Sequence, residues 1–528
     1  MRTRAPLAPP APHTAGHDTP PKPLPEPKDY IDAVRRRDPG KAGGPCGTTF
    51  LHLRTLFSID DSITQDLTAA LNHINTNTLN PIARNIMNAS RCVPIPKDKP
   101  NEIRPLAIGS VYLRLAQTAA LTPLADQLRE YFTPLQYGIG LKSGAELMTH
   151  AIRSHLELNP NHVVVKCDAR NAFNAFNRDR IWCTVDKHFP SLSNLIRFSY
   201  GVPSELLYAE PQTRPTTIQS TVGSRQGCVL GSLTYCLALH PALQTLATEF
   251  PDVLILSYVD DTHILGTPAR AAQAYRRWAQ LYSAWMEGEL RDDKGASFSY
   301  KASAADVKAA GLPPTMPHSN DGIGILGSAT GTPAYTENFL NQKVQDVTNA
   351  IDVLGRADHH QSKFIIMQKS LAHKVTHLQR TLYTGSPTSN LANIGRKLDL
   401  RMRALLQSLT PHTFLNDTAW ELATLPPLHG GLGIQTFQHN ADPAFLASYT
   451  LASSTLPNLF PHLADAFGDP AASTPPHNTT PTAIAAREAY RSGERSLPPN
   501  QRSGSTVSSA HPGTNKPCTW HPTNEHQA

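Results

Sequence analysis

No run of about 18 apolar residues occurs, so no segment reads as a membrane span. The N-terminus has no apolar signal core and is rich in proline instead. There is no Cys-x-x-Cys pair: the cysteines lie scattered at 46, 92, 167, 183, 228, 236 and 518. That spacing argues against a structural zinc site, and the odd count suits a reducing compartment. Charged residues are only 17%, and the formal charge is +6 with a pI near 8.9. Such a mild excess permits a polyanionic partner without requiring one.

What the chain does have is length, 528 residues, and 46 prolines. Residues 1–28 and about 468–528 are dominated by Pro with small polar residues and His; they are expected to be disordered or polyproline-like. Between them runs one folded stretch without an internal repeat. Its periodicity predicts helices over 29–90, 110–130, 143–157, 177–200, 232–248, 271–290 and 336–408. Strands are expected near 92–108, 163–168, 216–222, 253–266 and 321–327. The mixture, with hairpins, gives the class α+β.

The most informative segment is Leu254-Ile-Leu-Ser-Tyr-Val-Asp-Asp-Thr-His-Ile-Leu-Gly266. Two adjacent carboxylates between apolar strands are costly unless a cation meets them. Two other pairs serve as controls. Asp60-Asp61 reads as a helix cap and Asp292-Asp293 as a solvated turn. Only Asp260-Asp261 is flanked by strands on both sides, which places it at a hairpin tip. Asp168 ends the apolar run Val163-Val-Val-Lys-Cys and supplies a third acid, though alone it also suits a turn cap. Three carboxylates suit hard divalent cations, magnesium above all, and a two-ion site suits nucleotidyl transfer.

Phe173 follows five residues after Asp168, either to stack under a sugar and exclude a 2′-hydroxyl or to anchor the turn as a core residue. Gly223-Ser-Arg-Gln-Gly-Cys-Val-Leu-Gly231 reads as a glycine-containing turn into a helix, open to nucleotide approach or a plain connection. Basic residues gather at Arg84, Arg91, Lys97, Lys99 and Arg104. They gather again from Lys363 to Arg403, including Lys369, Lys374, Arg380, Arg396, Lys397 and Arg401, with Asp399 the sole acid. So skewed a tract favours contact with a nucleic-acid backbone over a merely solvated face.

With these residues together, the chain resembles reverse transcriptases of non-long-terminal-repeat retroelements over about 43–435. The matching segments, in order, begin with Gly44-Pro-Cys-Gly-Thr-Thr-Phe-Leu-His-Leu-Arg54, Val93-Pro-Ile-Pro-Lys97 and Ile103-Arg-Pro-Leu-Ala-Ile-Gly-Ser110. Gln136-Tyr-Gly-Ile-Gly140, Asp168 to Asn174, Arg225-Gln-Gly227 and Tyr258-Val-Asp-Asp261 follow. Lys294, Gly322-Ile-Gly-Ile-Leu-Gly327 and Leu425-Pro-Pro-Leu-His-Gly-Gly-Leu-Gly-Ile434 close the series. The resemblance implies a right-hand polymerase fold, with fingers, a palm built on an antiparallel sheet and a helical thumb. Its expected layout is a tail at 1–28, an N-terminal extension and fingers at 29–160 and a palm at 161–330. A thumb and post-thumb motif would occupy 331–440, and a helical remnant with a disordered tail 441–528.

By the same resemblance Asp168, Asp260 and Asp261 are catalytic and bind two Mg²⁺, or Mn²⁺ in its place. Lys97, Arg104, Phe173, Gln226, Gly227 and Lys294 would meet the dNTP. Arg225, the primer-grip residues Gly322, Leu326 and Gly327, and Lys363, Lys369 and Lys374 would meet nucleic acid. Gln136 to Gly140 would face the template. The implied partners are an RNA template, a DNA primer and dNTPs, with no membrane, and the implied compartment is the nucleus. The family commonly has Asp-Pro after Arg225-Gln-Gly227, where this chain has Cys228-Val229. No nuclease acid cluster follows residue 435. Target cleavage is thus expected from a separate endonuclease or element-encoded partner, and the chain is expected to be a truncated element copy or a polymerase fragment. Two rivals stay open. An RNA-directed RNA polymerase is disfavoured by the bulk of Phe173, and a catalytically inactive, RNA-binding relic by the intact acids with Lys97 and Arg104.

Overall fold

Val163, Val164 and Val165 have the composition of a strand covered on both faces, and all three are fully buried. The computed structural model describes residues 24–96, 103–209, 214, 216–382, 390–410, 414–471 and 480–496. In chain order its strands are β1 (Ser90–Pro96), β2 (Ile103–Gly109), β3 (Val163–Cys167), β4 (Ser204–Tyr208), β5 (Thr216–Ser220), β6 (Leu254–Tyr258), β7 (Asp261–Gly266), β8 (Ala296–Phe298), β9 (His318–Ser319), β10 (Gly322–Ile325) and β11 (Ser328–Gly331). The main sheet is ordered β6-β7-β3-β8-β9, with β3 at its centre and antiparallel to both neighbours. A second sheet is ordered β2-β1-β4-β5, and β10 with β11 forms a separate hairpin.

Alternation along the strands divides two cores. Val163, Val165, Cys167, Ile255 and Ile264 share one with Leu233, Leu237 and Trp278 from helices Gly231–Glu249 and Pro268–Met286. Val164, Leu254, Leu256 and Leu265 face Met148, Ile152 and Leu156 of helix Gly144–Leu158. Each buried valine contributes roughly 1.5–3 kcal/mol. A third core lies among the helices after residue 332, around Leu340, Leu371, Leu398 and Met402. The expected α+β, right-hand layout is therefore present: a fingers sheet, a central palm sheet and a helical thumb.

The β6–β7 turn is strained. Val259 has φ +57°, a region that a β-branched residue rarely adopts. Buried Gln136 holds it there. The Val259 N–H donates to Gln136 Oε1 at 2.6 Å, and Gln136 Nε2 donates to the Val259 carbonyl at 3.2 Å. Tyr137 and Leu135 extend the sheet edge by backbone bonds to Ser257. Gly138 must be glycine, since a Cβ would lie 2.5 Å from Val259 Cγ2. Gln136 thus lies inside the palm, gripping the acid turn, rather than on a template-facing surface.

Helix Gly144–Leu158 ties the palm to four downstream elements, β11 and helices Thr376–Thr381, Phe437–Leu459 and Pro481–Ser496. Buried Arg153 donates to the carbonyls of Thr381 (2.6 Å) and Ala329 (2.9 Å). Glu146 pairs with Arg380 at 2.7 Å and accepts from Ser448 Oγ at 2.9 Å. Glu157 accepts from Thr482 Oγ1 at 2.8 Å. That last bond docks helix Pro481–Ser496, whose Ala483, Ala486 and Ala489 pack on Phe445 and Tyr449. The expectation of disorder from about 468 onward is therefore corrected for this helix, which has an alanine face to bury. Residues 1–23, 472–479 and 497–528, which carry the remaining tail expectations, lie outside the described residues. Asp60 forms the expected cap, accepting from the Ile63 N–H at 2.8 Å. The single helix expected over 177–200 is two, Asp179–His188 and Pro190–Tyr200, because proline cannot continue the first.

Two outcomes follow from these contacts. Gln136→Leu leaves the Val259 amide without its acceptor. It should cost about 1–3 kcal/mol and speed hydrogen exchange at the 258–261 turn; unchanged protection there would contradict the clamp. Arg153→Met should lower stability by about 3 kcal/mol, read as a fall in the thermal midpoint.

Candidate active site

The ladder between β3 and β7 ends with Cys167 opposite Thr262. One step further, Asp168 comes to the side of Asp261, while Tyr258 pairs with Asp261 across the hairpin. Asp260 and Asp261 line an open cleft of about 520 Å³ with Phe173, Tyr258 and Val259. Leu326, Gly327 and His377 close its far side.

Neither hairpin acid forms an ion pair among the described residues. The surrounding protein raises the Asp260 carboxyl to about 6, chiefly by desolvation, then by repulsion from Asp261 and, more weakly, Asp168. Asp260 nevertheless opens onto the cleft, where water screens part of that repulsion. Asp261 is also raised, by desolvation first; Lys166 opposes the shift and Asp168 adds to it. An all-oxygen donor set that resists ionising together fits a hard cation. The third acid is differently engaged, because Asp168 Oδ2 pairs with Arg291 at 2.6 Å. Among the described residues no three carboxylate, imidazole or thiol side chains stand close enough to enclose a metal. Asp260 and Asp261 line the cleft and Asp168 lies beside Asp261 at the next step of the ladder, but the convergence expected of shared coordination is not preassembled.

Phe173 is half-buried and stacks on Tyr235, with centroids 5.0 Å apart and planes 16° apart. Its carbonyl accepts from the Ser224 N–H at 2.6 Å, and a Cβ on Gly223 would lie 2.4 Å from it. The glycine turn therefore sets the height of the aromatic ring in the cleft. Gln226 and Gly227 form a seam with the fingers: the Ala107 N–H donates to the Gln226 carbonyl at 2.7 Å. Arg104 is exposed on β2, and its charge reaches Asp260. Leu326 and Gly327 make the two-residue turn of the β10–β11 hairpin with φ +47° and +82°. His377 bonds to the Leu326 carbonyl at 3.0 Å. Lys294 follows Arg291, the partner of Asp168: its N–H donates to the Arg291 carbonyl at 3.1 Å, and its Nζ lies 3.7 Å from Asp293.

Several expected contacts lie elsewhere. Arg225 is buried beneath the cleft and braces palm to fingers through Asn88, Ser199 and Ser204, so it does not face nucleic acid. Lys363 is also buried, and its Nζ donates to the Gly355 carbonyl at 2.8 Å, at the end of helix Pro333–Gly355. Gly322 sits under the Tyr335 ring, where a Cβ would come within 2.2 Å. In the basic tract, Arg380, Arg401 and Arg403 pair with Glu146, Asp352 and Asp417. Lys369 and Lys374 remain exposed. Lys97 lies outside the described residues. Asp292 is no free surface acid, since it accepts from the Tyr275 hydroxyl. Gln136, Arg291 and His377 were missed as site residues: nothing in their sequence neighbourhoods signals partners more than fifty residues away, although Gln136 stood in a motif given another role.

Residues 95–305 match the family model described as reverse transcriptase (RNA-dependent DNA polymerase). The retrotransposable element SLACS 132 kDa protein of Trypanosoma brucei gambiense is 28% identical over 239 residues, 44% of this chain and 20% of that protein. The chain thus spans about a fifth of the length of that curated relative. A solved structure of apo telomerase from Candida tropicalis, truncated from the C-terminal domain, aligns with a TM-score of 0.35 and 12% identity over 50% of this chain and 59% of that one. Residues 95–305, which carry Asp168, Asp260 and Asp261, thus match a reverse transcriptase domain, and the curated relative that shares sequence with this chain is a retrotransposable element protein.

Proposed function

We propose that this chain extends a primer 3′-hydroxyl with dNTPs on an RNA template. The observation that carries the reading is the meeting of Asp260, Asp261 and Phe173 in one cleft, beside Asp168 and opposite the Leu326–Gly327 turn. In the reaction the hydroxyl oxygen bonds to the α-phosphorus, the bond to the β-phosphate breaks, pyrophosphate leaves and the hydroxyl proton passes to solvent. Asp168, Asp260 and Asp261 would hold two magnesium ions, which supply charge neutralisation at the attacking and leaving oxygens. Phe173, steadied by Tyr235, bars a 2′-hydroxyl. Arg104 and Lys294, together with Lys97, neutralise the triphosphate. Gln226 and Gly227 place backbone where the base pair forms. Leu326 and Gly327 border the primer end, and Lys369 and Lys374 offer exposed charge to the backbone of the duplex.

A primer-extension assay on an RNA template with Mg²⁺ or Mn²⁺ tests this. Extension with dNTPs is expected. Use of NTPs alone would favour an RNA polymerase, and no extension with either would favour an inactive RNA-binding relic. Asp260→Ala should lower extension by at least about a hundredfold while template binding persists. Phe173→Val should widen NTP use, lowering the dNTP preference about tenfold or more.

Linkage gives a further outcome. Because its pKa is raised in the folded state, Asp260 favours the metal-free fold below the ordinary carboxylate range, and that contribution is lost as pH rises through about 6. Added magnesium should therefore raise the thermal midpoint at pH 7.5, and the rise should fade as pH falls through about 6. A midpoint indifferent to magnesium at every pH would remove the metal role from these acids.

A further inference from the structure

Asp168-Ala-Arg170 and Glu289-Leu-Arg291 run antiparallel as a short extra pairing beside the palm sheet. The Arg170 N–H donates to the Glu289 carbonyl at 2.9 Å, the Arg291 N–H donates to the Asp168 carbonyl at 2.8 Å, and Ala169 bridges Leu290. The Arg291 carbonyl in turn accepts from the Lys294 and Gly295 amides at 3.1 and 2.9 Å. Its main chain is therefore fixed on both sides. From that base the guanidinium reaches Asp168, placing Nε at 2.7 Å and Nη2 at 2.6 Å from the same oxygen, Oδ2. The neighbouring charges have other partners: Lys294 with Asp293, Arg170 with Glu289, and Asp292 with the Tyr275 hydroxyl. Among the described residues, Arg291 is the one cation ion-paired to Asp168, Asp260 or Asp261.

We infer that Arg291 is a positioning residue, a built-in counter-ion that holds Asp168 ready in the cation-free protein and yields Oδ2 when a divalent cation binds. The inference rests on the metal role proposed above for the acids. Two features favour exchange over a permanent brace. The pair is 41% and 32% exposed, so it is a weak contact in water. And both guanidinium contacts fall on Asp168 Oδ2, an oxygen that a divalent cation bound by the three acids would also claim. A guanidinium stays charged at any relevant pH. It therefore lowers repulsion among the acids before the cation arrives, and competes with the cation for Asp168 afterwards.

The test is Mn²⁺ binding to the full chain, read by electron paramagnetic resonance of the free ion, alongside thermal midpoints in chelator. Arg291→Gln should bind Mn²⁺ about three- to tenfold more tightly and melt lower in chelator. Arg291→Lys, a point charge that cannot make both contacts, should fall between this variant and the natural protein. In an Asp168→Asn background, Arg291→Gln should leave Mn²⁺ affinity unchanged, because the shared partner is gone. Should Arg291→Gln fail to fold, the lysine variant decides alone. Unchanged or weaker Mn²⁺ binding in the folded Arg291 variants overturns the inference while leaving the polymerase reading intact. A protein that binds Mn²⁺ with the expected variant order yet never extends a primer overturns the polymerase reading alone. A natural protein that binds no Mn²⁺ overturns both the metal role and this inference.

Discussion

Mutual repulsion among three carboxylates at the open end of an apolar sheet is the constraint around which this protein is built. Asp168, Asp260 and Asp261 lie at strand ends because the strands behind them are covered on both faces, leaving only the ends near water. The β3–β7 ladder prevents the acids from drifting apart, and the Gln136 amide keeps Val259 in a conformation it would otherwise leave. Each of these contacts opposes either charge or strain. Together they make the tip of the hairpin stiff, and a stiff anionic tip is a prepared place for charge of the other sign.

The same logic governs the polar interior. Arg153, Glu146 and Glu157 come from one helix: the first two both meet helix Thr376–Thr381, Arg153 also meets β11 at Ala329, and Glu157 meets helix Pro481–Ser496. Charge inside the fold thus joins palm, hairpin and thumb. The basic tract from Lys363 to Arg403 shows why sign counts mislead. Part of its apparent excess is met by Glu146, Asp352 and Asp417 from other segments, and Lys363 serves a helix end.

What was legible in the sequence was local. The valine run, the strand–turn–strand setting of Asp260 and Asp261 and the Asp60 cap depend on neighbours within a few residues, so pattern exposes them. Phe173 was legible as an aromatic near an acid, but its stacking on Tyr235 was not. Gln136 meets Val259 and Arg291 meets Asp168 across 123 residues each, and no periodicity encodes such a pairing. Arg225 shows the converse: it sits within a motif, yet Asn88 and Ser199 enclose it, and only tertiary packing reveals which way a motif side chain points. Helix Pro481–Ser496 was hidden by the Pro-rich composition around it, which masked an alanine face that pays off only once Phe445 and Tyr449 are in place.

The wide reach of helix Gly144–Leu158 also sets the order in which the chain can fold. Its long-range polar contacts to later elements span from 176 residues, to Ala329, to 325 residues, to Thr482. Contacts so distant in sequence close slowly, because each must overcome the entropy of a long loop before it contributes anything. During synthesis the first half of the palm must wait with Met148, Ile152 and the sheet face behind them incompletely covered. That side is sealed by Ala452 and Leu456 of helix Phe437–Leu459 and by Phe460 and Leu463, which leave the ribosome about 300 residues later, so the nascent chain, more than the finished protein, is the species exposed to aggregation.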